Sequence, residues 1–338
     1  MSLPPERRQA LLQAKLAAVV RDRWGSPEGT GGTFPDGATL LGSDGRTAWV
    51  LTGDGSSRSL GKALAWAVRK GVTDLHLVVE ADSSTVAVLA RRAGTFAVAV
   101  TVWRLRGRDL LASAPAPPST SPPLPAEAAA FAGVMRAHGA DPVVEYGILT
   151  GEVLGLEVAR VIVDESGAHL EVGVGHHDRE AQYLLRPDWP PEAALDDAVA
   201  AVRRWRRAGA PRHLANTLAG ERWLRVAVTA HPDIVGAAYL APVPPPLPRG
   251  DLRQPAPAPA AGVDADDRPM LVVCSTGIDL DLVPAAADAR LADGRAGVRL
   301  VLAVPPADDY PITRDLAAAL REPAEIVTVP ADWRALAS

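Results

Sequence analysis

The chain begins with apolar residues at the spacing of an α-helix. Between Pro5 and Trp24 they fall on one side of a helical projection, and mostly polar residues and alanines fill the positions between them. This pattern predicts an amphipathic helix over Pro5–Trp24. Its apolar face consists of Leu11, Leu12, Leu16, Val19 and Val20.

Strand and helix patterns then alternate. The runs "ATLLGSD" and "TAWVLTGD" flank turn residues and predict a β-hairpin. Helices are predicted over 59–70 and 84–93, and the runs "DLHLVVE" and "AVAVTVWRL" follow them as strands. The order β-α-β-α-β predicts a parallel sheet.

The last part of the chain repeats this order. The runs "MLVVCS", "VRLVLAV" and "AEIVTV" alternate with helices predicted near 283–292 and 311–320. The favoured interpretation is that two unrelated short units follow the same common rules of connection. The alternative is duplication of one α/β unit.

The middle of the chain has an antiparallel pattern. The runs "GLEVARVIV" and "AHLEVGVG" lie on either side of "DESG", and a hairpin across that turn pairs Arg160 with Glu171. Amphipathic helices are predicted from about Pro191 to Ala208 and from about Ala215 to Ala227. This region is expected to be α+β.

Two proline-rich stretches, which begin at Ser113 and Pro242, separate these patterns. They are poor in bulky side chains and favour extended backbone, so they are interpreted as linkers. The expected fold class is α/β, with two small parallel βαβαβ units flanking a central α+β module. The expected modules are 1–112, 127–241 and 269–338.

Composition narrows the class of protein. A chain of 338 residues exceeds what one hydrophobic core usually serves, and a net charge of −5 argues against a surface that coats nucleic acid or membrane throughout. Cys274 is the one cysteine, which excludes a disulfide framework and favours a reducing compartment, so cytoplasmic location is expected. The sequence has no run of about 18 apolar residues, and no membrane association is expected.

The stretch "TGDGSSRSLGKAL" places glycines between a strand and a helix. A Walker A loop is disfavoured because Gly55 and Gly61 enclose one residue too many and Ala63 replaces the metal-binding hydroxyl. Amides at a helix start can still bind phosphate, and the alternative is that Ser57 or Ser59 caps the helix. The candidate anion-binding residues are Gly53, Gly55, Arg58, Gly61 and Lys62.

The segment from Thr52 to Glu80 is similar to the glycine-rich loop of the short-chain dehydrogenases, a partial Rossmann-like resemblance. The resemblance implies that Glu80 forms a hydrogen bond with a ribose hydroxyl of a dinucleotide. Arg58 stands where that family has a glycine, and no lysine follows Lys70, so the catalytic Tyr-x-x-x-Lys of the family is absent. A dehydrogenase is therefore not expected.

Three carboxylates in the middle of the chain form a candidate metal site for Mg²⁺: Glu152, Glu157 and Glu171. Carboxylates on adjacent strands that activate water resemble the PD-(D/E)xK nucleases. Gly173 stands where that family has its lysine. The alternative for Glu171 is an ion pair with Arg160 across the hairpin.

Arginines and a tryptophan follow one another in "RRWRRAG". Arginine binds phosphate and tryptophan stacks on bases, so this run is a candidate nucleic-acid site. The alternative is a solvated helix face opposite a core formed by Val202 and Trp205. The candidate residues are Arg203, Arg204, Trp205, Arg206 and Arg207.

The runs "GLEVARV", "LEVGVGHHDREA" and "GIDLDLVPAAADARL" resemble a family of actinobacterial proteins of unknown function. The resemblance implies a cytoplasmic bacterial protein and no particular activity. The function favoured by the residues is the handling of nucleic acid or a nucleotide, with metal-dependent cleavage at the three carboxylates as one form of it. The alternatives are a non-catalytic scaffold for a protein partner and a small-molecule enzyme that uses the Rossmann-like loop.

Overall fold

The chain folds into three β-sheets with helices around them. The computed structural model describes residues 4–53, 55–175, 178–179, 189–211, 213–249 and 252–337. The expected α/β class is confirmed. Two compact units are present: Met1–Pro118 with Leu280–Leu291 and Tyr310–Ala324, and Ser119–Asp279 with Ala292–Asp309 and Glu325–Ser338.

This division differs from the three modules expected from sequence. The sequence treats the residues after 269 as one module, whereas two helical segments of that region cluster with the first unit. Residues far apart in the chain pack together there, and local patterns do not carry that information.

The first unit contains a six-stranded sheet whose strands lie side by side in chain order. Its elements are α1 (Pro5–Trp24), β1 (Gly29–Phe34), β2 (Gly37–Gly42), β3 (Thr47–Thr52), α2 (Ser59–Lys70), β4 (Asp74–Val79), α3 (Ser83–Ala93), β5 (Ala99–Arg106) and β6 (Asp109–Ala112). The predicted hairpin is β2–β3, and β3, β4 and β5 run parallel as predicted. Helices α1 and α2 have the predicted bounds.

Helix α1 covers this sheet with the apolar face that the sequence indicates. Leu16, Val19 and Val20 are buried against Trp49 and Trp103, which project from β3 and β5. Leu11 lies at the side of the stripe and is exposed. Burial of side chains of this size contributes about 1.5–3 kcal/mol each, so α1 is held mainly by this contact.

A histidine lies within an aromatic cluster on the sheet of the first unit. The ring of His76 packs against Trp24, Trp49 and Trp103, and Trp103 Nε1 donates a hydrogen bond of 3.2 Å to His76 Nδ1. Burial lowers the pKa of His76, and the attraction of Asp74, which raises it, does not offset that effect. His76 is therefore held as the neutral imidazole.

This environment predicts a loss of stability in acid. Because the pKa of His76 is lowered on folding, the unfolded chain takes up the proton first as the pH falls below about 6.5, and folding becomes less favourable from there down to the folded pKa. We expect His76→Asn, which keeps an acceptor but does not titrate, to show a smaller fall in melting temperature between pH 7.5 and pH 5. Replacement of the exposed His231 by Asn is the control and should leave the fall unchanged.

The second unit contains a four-stranded antiparallel meander in the order β10-β9-β8-β7. Its elements are α4 (Ala126–Ala129), α5 (Phe131–Ala137), β7 (Asp141–Glu145), β8 (Ile148–Val153), β9 (Leu156–Asp164), β10 (Gly167–Val172), α6 (Pro191–Trp205), α7 (Leu214–Thr217) and α8 (Gly220–Ala230). The register predicted for the β9–β10 hairpin, with Arg160 opposite Glu171, is confirmed. The helix expected over 215–227 is two helices, since Ala219 takes a left-handed conformation between them.

Tight turns connect the strands of the meander. Tyr146 and Gly147 between β7 and β8 both have positive φ, as do Leu154 and Gly155 between β8 and β9. Two successive residues with positive φ are the conformation of a type I′ hairpin turn, whose twist matches that of the strands. A side chain at Gly155 would lie 2.4 Å from the backbone of Arg222, so glycine also allows the turn to approach α8.

A five-stranded sheet completes the second unit, in the order β11-β12-β13-β14-β15. The remaining elements of the chain are β11 (Ala237–Pro242), β12 (Ala258–Asp264), β13 (Pro269–Cys274), α9 (Leu282–Asp293), β14 (Arg299–Val304), α10 (Pro311–Ala318), β15 (Glu325–Thr328) and α11 (Trp333–Leu336). Strands β13, β14 and β15 are parallel, as predicted. Strands β11 and β12 are antiparallel additions.

Strand β12 corrects the interpretation of the second proline-rich stretch as a linker, because "APAAGVD" within it lies between two neighbouring strands. Pro259 is compatible with this position. Its carbonyl accepts from Val243 N on the β11 side, so its missing N–H would also point to that side and the β12–β13 ladder is intact. The stretch after Ser113 contains no helix or strand before α4, as a linker requires.

The first and third sheets share one order of elements. In each, a helix precedes three strands paired antiparallel, and two further strands then follow in parallel, each after a helix. The agreement extends over five strands, two of which the sequence pattern did not identify. This shared topology favours duplication over two unrelated units.

Candidate functional site

Helix α8 connects the two sheets of the second unit. Trp223, Leu224, Ala227 and Val228 pack into the core of the five-stranded sheet. The opposite side of the helix carries Arg222 and Arg225, three residues apart and therefore on one face.

These two arginines pair with two glutamates of the meander. Arg222 donates to Glu152 at 2.8 Å and to Glu145 at 2.5 Å, and Arg225 donates to Glu152 at 2.9 Å. Burial alone would raise the pKa of Glu152, but Arg225 and Arg222 outweigh that effect and lower it. The four side chains form a charged cluster that holds α8 on the meander.

A cavity of about 810 Å³ lies beside this cluster in the second unit. The described residues of its wall include five arginines and three carboxylates. We call it the arginine cavity, after Arg160, Arg179, Arg222, Arg249 and Arg253.

Most of these guanidinium groups are held rigidly by carboxylates. The side chains of Arg179, Arg222 and Arg249 are 9%, 8% and 5% exposed, and their partners include Glu157, Glu152 and Glu221 respectively. Arg160 is 31% exposed and donates to Glu157. Fixed guanidinium groups in a concave wall are a preorganised binding surface for an anion, because no reorganisation is needed when the anion enters.

The three carboxylates expected to bind Mg²⁺ lie close together on the meander. Glu152 faces Glu157 across β8 and β9, and Glu171 lies opposite Arg160. Their near partners are arginines: Arg179 contacts both Glu157 and Glu171. Within the described ranges, no group of three His, Cys, Asp or Glu side chains is placed to hold a metal ion, and the Mg²⁺ site stays a prediction.

The glycines of the expected anion-binding loop lie where backbone segments approach each other. A Cβ at Gly53, Gly55 or Gly61 would lie within 2.8 Å of a backbone oxygen of Asp36, Glu80 or Leu280. Packing therefore accounts for these glycines. Arg58 and Lys62 are half-buried at the start of α2.

Neither serine proposed as a cap of α2 acts as one. The helix begins after Arg58 without a side-chain cap, and Ser59 Oγ donates to the carbonyl of Ser56. Glu80 lies 2.6 Å from Lys15 Nζ. Anion binding by this loop stays a prediction.

The arginine run at the end of α6 divides into exposed and buried members. Arg203, Arg204 and Arg207 are exposed, and their contact with nucleic acid stays a prediction. Trp205 is half-buried and stacks on His213 with ring centroids 4.4 Å apart.

Arg206 does not belong to the candidate nucleic-acid surface, which corrects the sequence-based assignment. Its side chain is fully buried and donates to the carbonyls of Leu154, Ala215, Leu218 and Ala219 at 2.6–2.8 Å. Burial lowers its pKa to about 9, so it keeps its charge at neutral pH. Arg206 therefore ties α7 and the start of α8 to the β8–β9 turn.

The first unit has a second buried charge cluster. Arg91 and Arg92 of α3 donate to Asp288 of α9 at 2.7–3.0 Å, and Arg92 also donates to Asp281. Asp288 is completely buried. Sequence analysis did not identify this cluster, because its partners lie almost 200 positions apart in the chain.

Comparisons with protein-family models, with curated proteins and with solved structures found no match. Over the described residues, none of the helices combines the length and the apolar character needed to cross a membrane. The function is therefore argued from the arginine cavity itself.

Proposed function

We propose that the second unit binds an anionic small molecule, with nucleotides as the favoured class, in the arginine cavity. The observation that supports this proposal is the convergence of five arginines on one cavity. A guanidinium group presents parallel N–H donors that match the oxygens of a phosphate, and it stays protonated at any physiological pH.

The size and setting of the cavity agree with this ligand class. Its volume of about 810 Å³ lies within the usual range of about 300–1,000 Å³ for small-molecule sites. Tyr146, Ile148 and Leu252 add apolar surface to the wall. A ligand with both a phosphate and a less polar body would use both kinds of surface.

The carboxylates of the cluster do not oppose this proposal. Glu152 and Glu145 accept from Arg222, and Glu157 accepts from Arg160 and Arg179. Each carboxylate reduces the cost of burying an arginine, and a buried arginine without such a partner would destabilise the unfilled site. An entering anion would therefore be bound by guanidinium groups whose positions the carboxylates already fix.

The test is binding of AMP, ADP and ATP to the full-length protein, measured by calorimetry and by the shift in melting temperature. A ligand at 100 times its Kd stabilises the folded state by about 2.7 kcal/mol, so we expect at least one nucleotide to raise the melting temperature measurably. Arg160→Gln combined with Arg253→Gln should weaken binding at least tenfold, because these are the more exposed arginines of the wall and their loss spares the buried cluster.

Arg136→Gln is the matched control, since Arg136 is exposed on α5 of the same unit and does not line the cavity. It should bind each nucleotide as the unaltered protein does. An absence of binding by every nucleotide, or equal binding by the double variant, contradicts the proposal.

A further inference from the structure

A second cavity of about 610 Å³ lies in the same unit. Its wall comes largely from α6 and α7 and includes the rings of Trp189, Trp205 and His213. We call it the aromatic cavity, after these three residues. Alanines at 198, 201 and 215 leave open space between the rings.

The two cavities share a wall. Val174, Asp178, Leu214 and Leu218 line both of them. The two cavities are therefore adjacent, with these side chains between them.

The two cavities differ in charge. Five arginines line the arginine cavity and none of them lines the aromatic cavity, whereas Asp178 and Asp197 are the charged groups among the described residues that line the aromatic cavity. A phosphate is attracted to the first cavity and repelled from the second. A ligand with one anionic end is thus oriented by electrostatics alone.

We infer that the two cavities bind the two ends of one nucleotide, with the phosphate in the arginine cavity and the base in the aromatic cavity. This inference rests on the proposed function. Trp205 and His213 form a stacked pair in the wall and Trp189 adds a third ring, and base stacking on aromatic side chains is sequence-tolerant.

The carboxylates favour a base over an acyl chain. The side chains of Asp178 and Asp197 are at the exposed rim of the aromatic cavity, where they can accept hydrogen bonds from ring and amino N–H groups. An acyl chain offers no donor to these oxygens and would remove water from them without replacement. The geometry therefore favours a nitrogen heterocycle.

The test compares the affinities of AMP, ribose 5-phosphate and octyl phosphate for the full-length protein, measured by calorimetry. We expect AMP to bind at least tenfold more tightly than ribose 5-phosphate. Trp189→Leu should reduce that ratio to about two or less while the affinity for ribose 5-phosphate changes less than twofold. Ala198→Leu, which fills the aromatic cavity from a helical position, should have the same effect and provides the test if Trp189→Leu does not fold.

The outcomes separate this inference from the proposed function. If AMP and ribose 5-phosphate bind equally, and both lose affinity in the Arg160→Gln/Arg253→Gln variant, the proposed function holds and the inference is overturned. Tighter binding of octyl phosphate than of AMP overturns the inference in favour of an acyl ligand. If none of the three phosphates binds, the inference is overturned, and the proposed function fails as well when ADP and ATP also do not bind.

Discussion

Replacement of Arg206 by alanine is expected to lower the free energy of unfolding of the second unit by about 4 kcal/mol or more. Four backbone carbonyls that accept from this guanidinium would lose their partner, and all four of these hydrogen bonds lie at buried or half-buried sites. The ring of Trp223, whose centroid lies 4.6 Å from the guanidinium carbon, would lose its stacked cation as well. The total free energy of unfolding of a folded protein is only about 5–15 kcal/mol, so a loss of this size is a large part of it.

The measurement is denaturant unfolding of the full-length variant, with hydrogen exchange of peptides from α7 and α8 to localise the effect. Arg206→Lys should recover only part of the loss, because an ammonium group has three donors and no planar fork. Arg207→Ala is the control, since that arginine is exposed, and it should change stability by no more than about 0.5 kcal/mol. An Arg206→Ala variant as stable as the control would contradict the assignment.

The spacing of the apolar residues along α6 predicts that Arg206 is buried. Leu195, Val199 and Val202 are buried, and Arg206 continues that series at intervals of four, three and four residues. The same pattern that identified the core side of α6 therefore also places Arg206 on it. The run of four arginines suggested a solvated or nucleic-acid-binding face. That interpretation considered their charge but not the position of each arginine around the helix axis.

Elements with strong local patterns were predicted closely. Helix α1, helix α2 and the β9–β10 register were obtained from apolar spacing and turn residues alone, since these features depend on neighbours in sequence. Strand β12 was missed because alanine, proline and glycine dominate it. Its side chains are small where β11 approaches: a Cβ on Gly262 would lie 1.8 Å from the carbonyl oxygen of Tyr239.

The candidate site was predictable only in its components. Glu152 and Glu157 were predicted to belong to one cluster of carboxylates, and the structure places them opposite each other on β8 and β9. Their partners include Arg222 and Arg225 of α8 and Arg179, which no local pattern relates to the meander. A cluster of carboxylates in a sequence can therefore indicate buried arginine partners as readily as a metal ion.

Replacement of Asp288 by alanine is expected to destabilise the first unit by about 3–5 kcal/mol, the usual cost of removing one partner from a buried ion pair. Asp288 is fully buried and accepts from both Arg91 and Arg92, whose side chains are also buried. Arg92 would keep Asp281 as a partner. Among the described residues, Arg91 would keep the carbonyl of Pro117 but no carboxylate. A guanidinium charge without a carboxylate in that environment is the source of the loss.

The experiment is equilibrium unfolding of the full-length protein, with hydrogen exchange of peptides from α3 and α9 as the local readout. Asp288→Asn keeps the shape and removes the charge, so it should lose less stability than Asp288→Ala and provides the measurement if the alanine variant does not fold. Asp315→Ala on α10 is the control, because Asp315 is exposed in the same unit, and it should stay within about 0.5 kcal/mol of the unaltered protein. Equal stability of the Asp288→Ala and Asp315→Ala variants would show that the arginines are neutralised by another group or by water, and the ion cluster would then have no part in holding α9 against α3.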